Sequence, residues 1–192
     1  MNNFQDKANF IWQVADDILR GTFKRHEFGD VILPFVVLRR LDCVLDGKKD
    51  GVIETYNKFK DTLKEDQLVP VLLKSANGLN FYNTSKFDLR RLAQNADTIE
   101  MNFNNYINGY SKNVREILEN FQIDKIVEKL NKNNLLYILV DKFPEIDLNP
   151  ELVTNHEMGY IFEELLRKFS ELSNETAGEH YTPREVIRLM VN

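Results

Sequence analysis

Apolar residues in the first twenty positions recur with the period of an α-helix: Phe4, Ala8, Ile11, Trp12, Ala15, Ile18 and Leu19 share one face. That spacing predicts an amphipathic helix over residues 3 to 20, with Asn2 or Asn3 as its cap and Gly21 as its stop. Trp12, inside the stripe, reads as a packing residue. Phe28-Gly29-Asp30 leads into Val31 to Leu45, a run apolar on nearly every side, which predicts the buried central helix of a domain; Pro34, near its first turns, should start or bend it there, and Gly47 should end it. Two charged amphipathic helices follow, over 52 to 66 and 68 to 76. The rhythm breaks at Asn77 to Ser85, where turn residues surround Phe81-Tyr82 and predict a short strand or a packed loop.

Helices resume at Leu89 to Gln94, Thr98 to Asn108, Ser111 to Phe121, Ile123 to Asn133 and Leu135 to Phe143. Asparagines crowd the stretch from 102 to 134, yet they stand among helical apolar positions and so do not mark a disordered tract. Pro144 and Asn149-Pro150 break the pattern and place a boundary near 150. Beyond it, Thr154-Asn155-His156-Glu157 forms a capping box ahead of a stripe of Met158, Ile161, Phe162, Leu165, Leu166, Phe169 and Leu172. Thr182-Pro183-Arg184-Glu185 opens one more helix in the same way. Its stripe of Val186, Ile187, Leu189 and Met190 runs up to Asn192 without a cap, the pattern expected of a protein that continues. The fold class is mainly α, with a helical-bundle domain over 1 to 150 and a second unit beginning at 151.

Composition sharpens this picture. The 192 residues are 43% hydrophobic and 29% charged, with 8 glycines and 5 prolines, values of a globular chain with little room for an all-β fold. A net charge of -5 is not the footprint of bulk electrostatic binding to nucleic acid. The single cysteine, Cys43, lies in the apolar run and excludes an internal disulfide or a cysteine metal cluster. The N-terminus lacks the basic start and apolar core of a signal peptide, and no apolar run approaches membrane-spanning length. A cytoplasmic location is the expectation.

Candidate chemistry is sparse. There is no Gly-x-Ser-x-Gly, Walker loop, Gly-x-Gly-x-x-Gly or His-Glu-x-x-His, so no catalytic residue is assigned, and His156 has no metal-ligand partner at the required spacing. No metal site is expected. The polar loop Ala177-Gly178-Glu179-His180-Tyr181, followed by the free amides of a capped helix, makes a concavity suited to a small anionic group. Lys24 and Arg25, in the connector after the first helix, and Arg39 and Arg40, in the second, are the candidate contacts to DNA or a partner. The alternative for the two arginines is pairing with Asp42, Asp46 or acids of neighbouring helices.

Phe28-Gly29-Asp30-Val31-Ile32-Leu33-Pro34-Phe35-Val36-Val37-Leu38-Arg39-Arg40-Leu41-Asp42 resembles the N-terminal helical domain of the modification (methyltransferase) subunit of type I restriction-modification systems. Gly159-Tyr160-Ile161-Phe162-Glu163 through Phe169, and Gly178-Glu179-His180-Tyr181-Thr182-Pro183-Arg184-Glu185-Val186, are similar to the segment leading into that family's catalytic domain. Phe81-Tyr82-Asn83-Thr84-Ser85 is a further, weaker match. The resemblance implies an adenine-N6 DNA methyltransferase using S-adenosylmethionine, with 151 to 192 as the connecting helix and opening of an α/β methyltransferase domain. It implies cofactor contacts at Glu179, His180, Tyr181, Thr182, Pro183 and Arg184, and places the glycine-rich loop and the Asn-Pro-Pro-aromatic tetrapeptide after Asn192, so residues 1 to 192 alone should be inert. The implied partners are DNA, a specificity subunit, a second modification subunit and a restriction subunit, with no membrane. The helices alone suit equally a helical interaction or DNA-binding module using Lys24, Arg25, Arg39 and Arg40; that reading leaves the Gly178 to Val186 loop unexplained.

Overall fold

The computed structural model describes residues 4 to 172. Among them the backbone is helical with no strand, and it divides into two compact units. One comprises the described residues up to Leu33 together with those from Val153 onward; the other is Pro34–Leu152.

In the first unit, α1 (Phe4–Leu19) lies along α10 (Asn155–Leu172). The apolar stripe of α1 is the reason: Ala8, Ile11, Ala15 and Leu19 are completely buried, and α10 supplies Met158, Ile161, Leu165 and Phe169. Aromatic pairs join the two helices, with Phe4 on Tyr160 and Trp12 on Phe169, each at 5.4 Å between centroids. Lys168 donates to the Asn9 side chain (3.0 Å) and covers the Trp12 ring at 5.6 Å, so Trp12 packs as expected but stays half-buried. The capping box of α10 forms as its sequence predicts. The Glu157 carboxylate accepts the Thr154 amide (2.8 Å), and the Glu157 amide donates to the Thr154 hydroxyl (3.2 Å).

The second α-helix, α2 (Phe28–Leu45), starts at Phe28 instead of near Pro34, so the proline sits inside it. Pro34 brings no amide to the carbonyl of Asp30. The helix nevertheless continues because Val31, Ile32, Phe35, Val36 and Leu38 are all buried, and that burial outweighs one missing hydrogen bond. In the Pro34–Leu152 unit its second half joins α3 (Lys49–Phe59), α4 (Glu65–Ser75), α5 (Leu89–Leu92), α6 (Ile99–Asn108), α7 (Lys112–Asn120), α8 (Ile123–Lys132) and α9 (Leu136–Lys142). The last of these packs against α5, α6 and α8. Phe35 stands between Phe103 and Phe143, at 5.7 and 5.5 Å, in the centre of this core. The α3–α4 hairpin has its own small cluster of Val52, Leu72 and Ala76, flanked by Tyr56, Leu68, Leu79 and Tyr82.

Candidate functional site

The residues nominated for S-adenosylmethionine, Glu179, His180, Tyr181, Thr182, Pro183 and Arg184, lie outside the described residues. The basic candidates separate into two kinds. Lys24 and Arg25 are exposed at a short 3-10 turn ahead of α2, where the Glu27 carboxylate accepts the Lys24 amide at 2.8 Å and holds the turn. Arg39 is only 4% exposed, and it donates from Nε to the Ile146 carbonyl (2.6 Å) and from Nη2 to that of Pro144 (3.3 Å). Arg40 donates from Nη1 to the Leu148 carbonyl at 2.5 Å.

Both arginines therefore clamp the segment after α9. α9 ends at Lys142, and the Pro144, Ile146 and Leu148 carbonyls of the segment that follows accept from these guanidinium groups of α2. The expected pairing of Arg39 with Asp42 is replaced by these carbonyl bonds, and the Arg39 guanidinium is spent inside the chain.

Asp42 instead closes a buried polar knot. One of its oxygens accepts the Leu89 amide (2.9 Å), and the other accepts the Tyr106 hydroxyl (2.9 Å) and the Tyr110 hydroxyl (3.4 Å). The two tyrosines share a hydrogen bond of 2.7 Å. Burial pushes the Asp42 carboxyl up to about 6, opposed by the nearby Lys49 ammonium and by the bonds from Leu89 and Tyr106. Lys49, itself buried, donates to the Phe87 carbonyl and lies 5.2 Å over the Tyr106 ring; burial pushes its pKa down while Asp42 holds it up. An adjoining cavity of about 120 Å³, lined by Arg39, Asp42, Cys43, Lys49 and Arg91, has room for a few waters at most. Burial also pushes the Cys43 thiol up, away from a reactive thiolate. The knot ties α2, α5 and α6 together and contains no nucleophile with its base. Sequence reasoning missed it because Asp42 reads as one more charge beside Arg39 and Arg40; the signal was an acid on the apolar side of the most hydrophobic helix.

A second feature is the loop through Tyr82 to Phe87, which the sequence left open between strand and packed loop. It is a packed loop, fastened to the corner between α6 and α7. The Thr84 amide donates to the Gly109 carbonyl (2.8 Å), the Ser111 amide to that of Tyr82 (3.1 Å), and Asn83, fully buried, donates from its side chain to the Tyr106 carbonyl (3.1 Å). The corner needs glycine at 109: a Cβ there would meet Asn83 Oδ1 at 2.5 Å and the Ser85 amide nitrogen at 2.7 Å.

Beside this loop, two adjoining depressions of about 610 and 330 Å³ share Tyr56, Thr84, Asn108 and Gly109. Their walls carry asparagines, aromatics and lysines, with no acid–base pair suited to catalysis. No group of three or more histidine, cysteine or acidic side chains among the described residues could hold a metal ion, and no described helix is long and apolar enough to cross a membrane.

Comparison with known proteins bears on the whole chain. The HsdM N-terminal domain family matches residues 7–143, and the N-6 DNA Methylase family matches residues 153–192. The type I restriction enzyme MjaIX methylase subunit of Methanocaldococcus jannaschii is 27% identical over 195 residues, covering 96% of this chain and 34% of that protein. The chain thus spans about a third of the length of this relative. No solved structure matches it significantly.

Proposed function

The chain belongs to the HsdM N-terminal domain family, and on that premise we propose that it is the N-terminal part of a cytoplasmic DNA adenine-N6 methyltransferase subunit of a type I restriction-modification system. The observation that carries this reading is the order of the two matches: an HsdM N-terminal domain at 7–143 runs directly into the opening of an N-6 DNA methylase at 153–192. The helical part supports subunit assembly and DNA enclosure, with partners in a specificity subunit, a second modification subunit and a restriction subunit. Lys24 and Arg25, exposed at a turn, are the nominated residues free to reach such a partner.

S-Adenosylmethionine supplies the methyl group. The donor set of the terminal segment suits one end of it. The hydroxyl of Thr182 and the free amides of the helix that the Thr182-Pro183-Arg184-Glu185 sequence predicts match the cofactor carboxylate, and Glu179 matches its ammonium or sulfonium. Tyr181, Pro183, Arg184 and His180 complete one wall of that pocket. The capped α10 leads into this segment. The remainder of the pocket, and the aromatic tetrapeptide that holds a flipped adenine, belong to sequence after Asn192.

The test is calorimetric titration with S-adenosylmethionine. The full-length subunit should bind saturably, Thr182→Ala should weaken that binding, and Thr182→Ser should retain most of it. Residues 1 to 192 alone should show no saturable binding. Equal affinity of Thr182→Ala and the parent would remove the terminal loop from the pocket.

A further inference from the structure

The asparagine-rich stretch noted in the sequence has a structural consequence. Asn102, Asn105 and Asn108 recur every third residue along α6 and line the larger depression beside the Tyr82 to Phe87 loop. The other wall is α3, with Tyr56 and Asn57. The adjoining depression adds Lys60, Glu65, Tyr82 and Arg115.

We propose that this groove holds the sugar-phosphate backbone of one DNA strand. Three cations, Lys60, Lys86 and Arg115, face it against one acid, Glu65, in a chain whose net charge is -5. Lys60 and Lys86 each lie over a neighbouring aromatic ring, Tyr56 at 6.0 Å and Phe87 at 5.0 Å, the alternation of basic and aromatic side chains that single strands favour.

Arg115 Nε is buried without a hydrogen-bond partner among the described residues, a donor left over by the fold. The amides are half-used in complementary ways. Asn105 accepts the Ser85 hydroxyl with its oxygen (2.6 Å) and keeps its N–H groups, whereas Asn102 donates its N–H to Thr98 Oγ1 (2.8 Å) and keeps its oxygen. Such donors and acceptors suit phosphate oxygens, sugars and base edges. An amphipathic helix would require a continuous apolar stripe. In the larger depression the apolar side chains, Ile53, Phe87 and Met101 with the Tyr56 ring, are interspersed with Asn57, Asn102, Asn105 and Asn108.

This inference rests on the DNA-enclosing role proposed above, and its test reads separately from it. In the assembled complex without cofactor, affinity for a fluorescein-labelled DNA would be measured by anisotropy from 50 to 200 mM salt, with single-stranded and duplex probes of one sequence. The variant Lys60→Gln/Lys86→Gln/Arg115→Gln should raise the Kd at least about tenfold and reduce the slope of log affinity against log salt by about 2. The same charge change outside the groove, Lys125→Gln/Lys129→Gln/Lys132→Gln, should shift the Kd less than about twofold.

Asn57→Ala/Asn108→Ala, at two exposed positions that the core does not use, should raise the Kd about threefold or more with the slope unchanged. Parent-like affinity in both groove variants, or equal losses in groove and control variants, overturns the assignment. So does a photo-crosslinker at Asn57→Cys that captures another subunit instead of DNA. Loss of S-adenosylmethionine binding by the parent would defeat the proposed function and leave these DNA outcomes readable.

Discussion

Asparagine in place of Asp42 gives the sharpest view of how the Pro34–Leu152 unit is held. The carboxyl is almost wholly buried and titrates at about 6, against 3.8 for the unperturbed group. A carboxyl with a raised folded pKa binds its proton more tightly in the folded state than in the unfolded one. Its charge therefore subtracts from stability above pH 6, and the penalty is progressively removed as the pH falls from about 6 towards 3.8. At about 1.36 kcal/mol per unit the penalty at neutral pH is on the order of 3 kcal/mol. Asp42→Asn abolishes it, while an amide oxygen still accepts the Leu89 amide and the tyrosine pair, in which either hydroxyl can donate, reverses direction. The Lys49 ammonium, which loses its principal neighbouring charge, offsets part of that gain at neutral pH. The discriminating quantity is the pH dependence of the difference. Urea unfolding of both proteins from pH 7.5 to 4.5 should show the parent gaining about 2 kcal/mol relative to the variant as the pH falls. Parallel profiles, or a carboxyl titrating near 4 in the folded parent by NMR, would refute the buried-knot account.

Four other variants probe separate parts of the fold. Gly109→Ala should displace the Tyr82 to Phe87 loop and cost about 1–3 kcal/mol by denaturant melts, because Asn83 and the Ser85 backbone stand where its Cβ must go. Arg39→Met should cost about 2 kcal/mol or more by leaving the Pro144 and Ile146 carbonyls without their donor, whereas Lys24→Ala/Arg25→Ala, at exposed positions, should leave the melting temperature within about a degree. Trp12→Ala should destabilise by about 2–4 kcal/mol through loss of the Phe169 contact, read by thermal melts followed by circular dichroism.

Periodicity read the helices closely wherever one face was apolar. The Ser111 to Phe121 and Ile123 to Asn133 expectations correspond to α7 at Lys112–Asn120 and α8 at Ile123–Lys132. It failed where tertiary burial decides. Phe28, Gly29 and Asp30 enter α2 because Phe28, Val31 and Ile32 are buried, and Gly29 passes 3.3 Å (as Cβ) from the Phe169 ring. Of the two roles open to Pro34, starting or bending the helix, packing overrules the start. The α3–α4 hairpin shows the same limit: the first helix ends at Phe59 and the second begins at Glu65, with Pro70 inside it.

Of the candidate contacts, Lys24 and Arg25 lie exposed in the connector after the first helix. The inward turn of Arg39 depends on carbonyls 105 and 107 residues away, which no local pattern encodes. The asparagines of α6 carried a three-residue repeat in plain sight, but their shared wall emerges only when α3 and the Tyr82 to Phe87 loop are placed beside them.

Methyl transfer tests the central claim most directly. The full-length subunit would be assembled with its specificity subunit, supplied with S-adenosylmethionine labelled in its methyl group and with DNA lacking prior methylation, and the product nucleosides resolved by mass. The account predicts label in N6-methyladenine, and none when residues 1 to 192 replace the full-length subunit. Label confined to cytosine, or no transfer by an assembled complex that binds the cofactor and DNA, would contradict it.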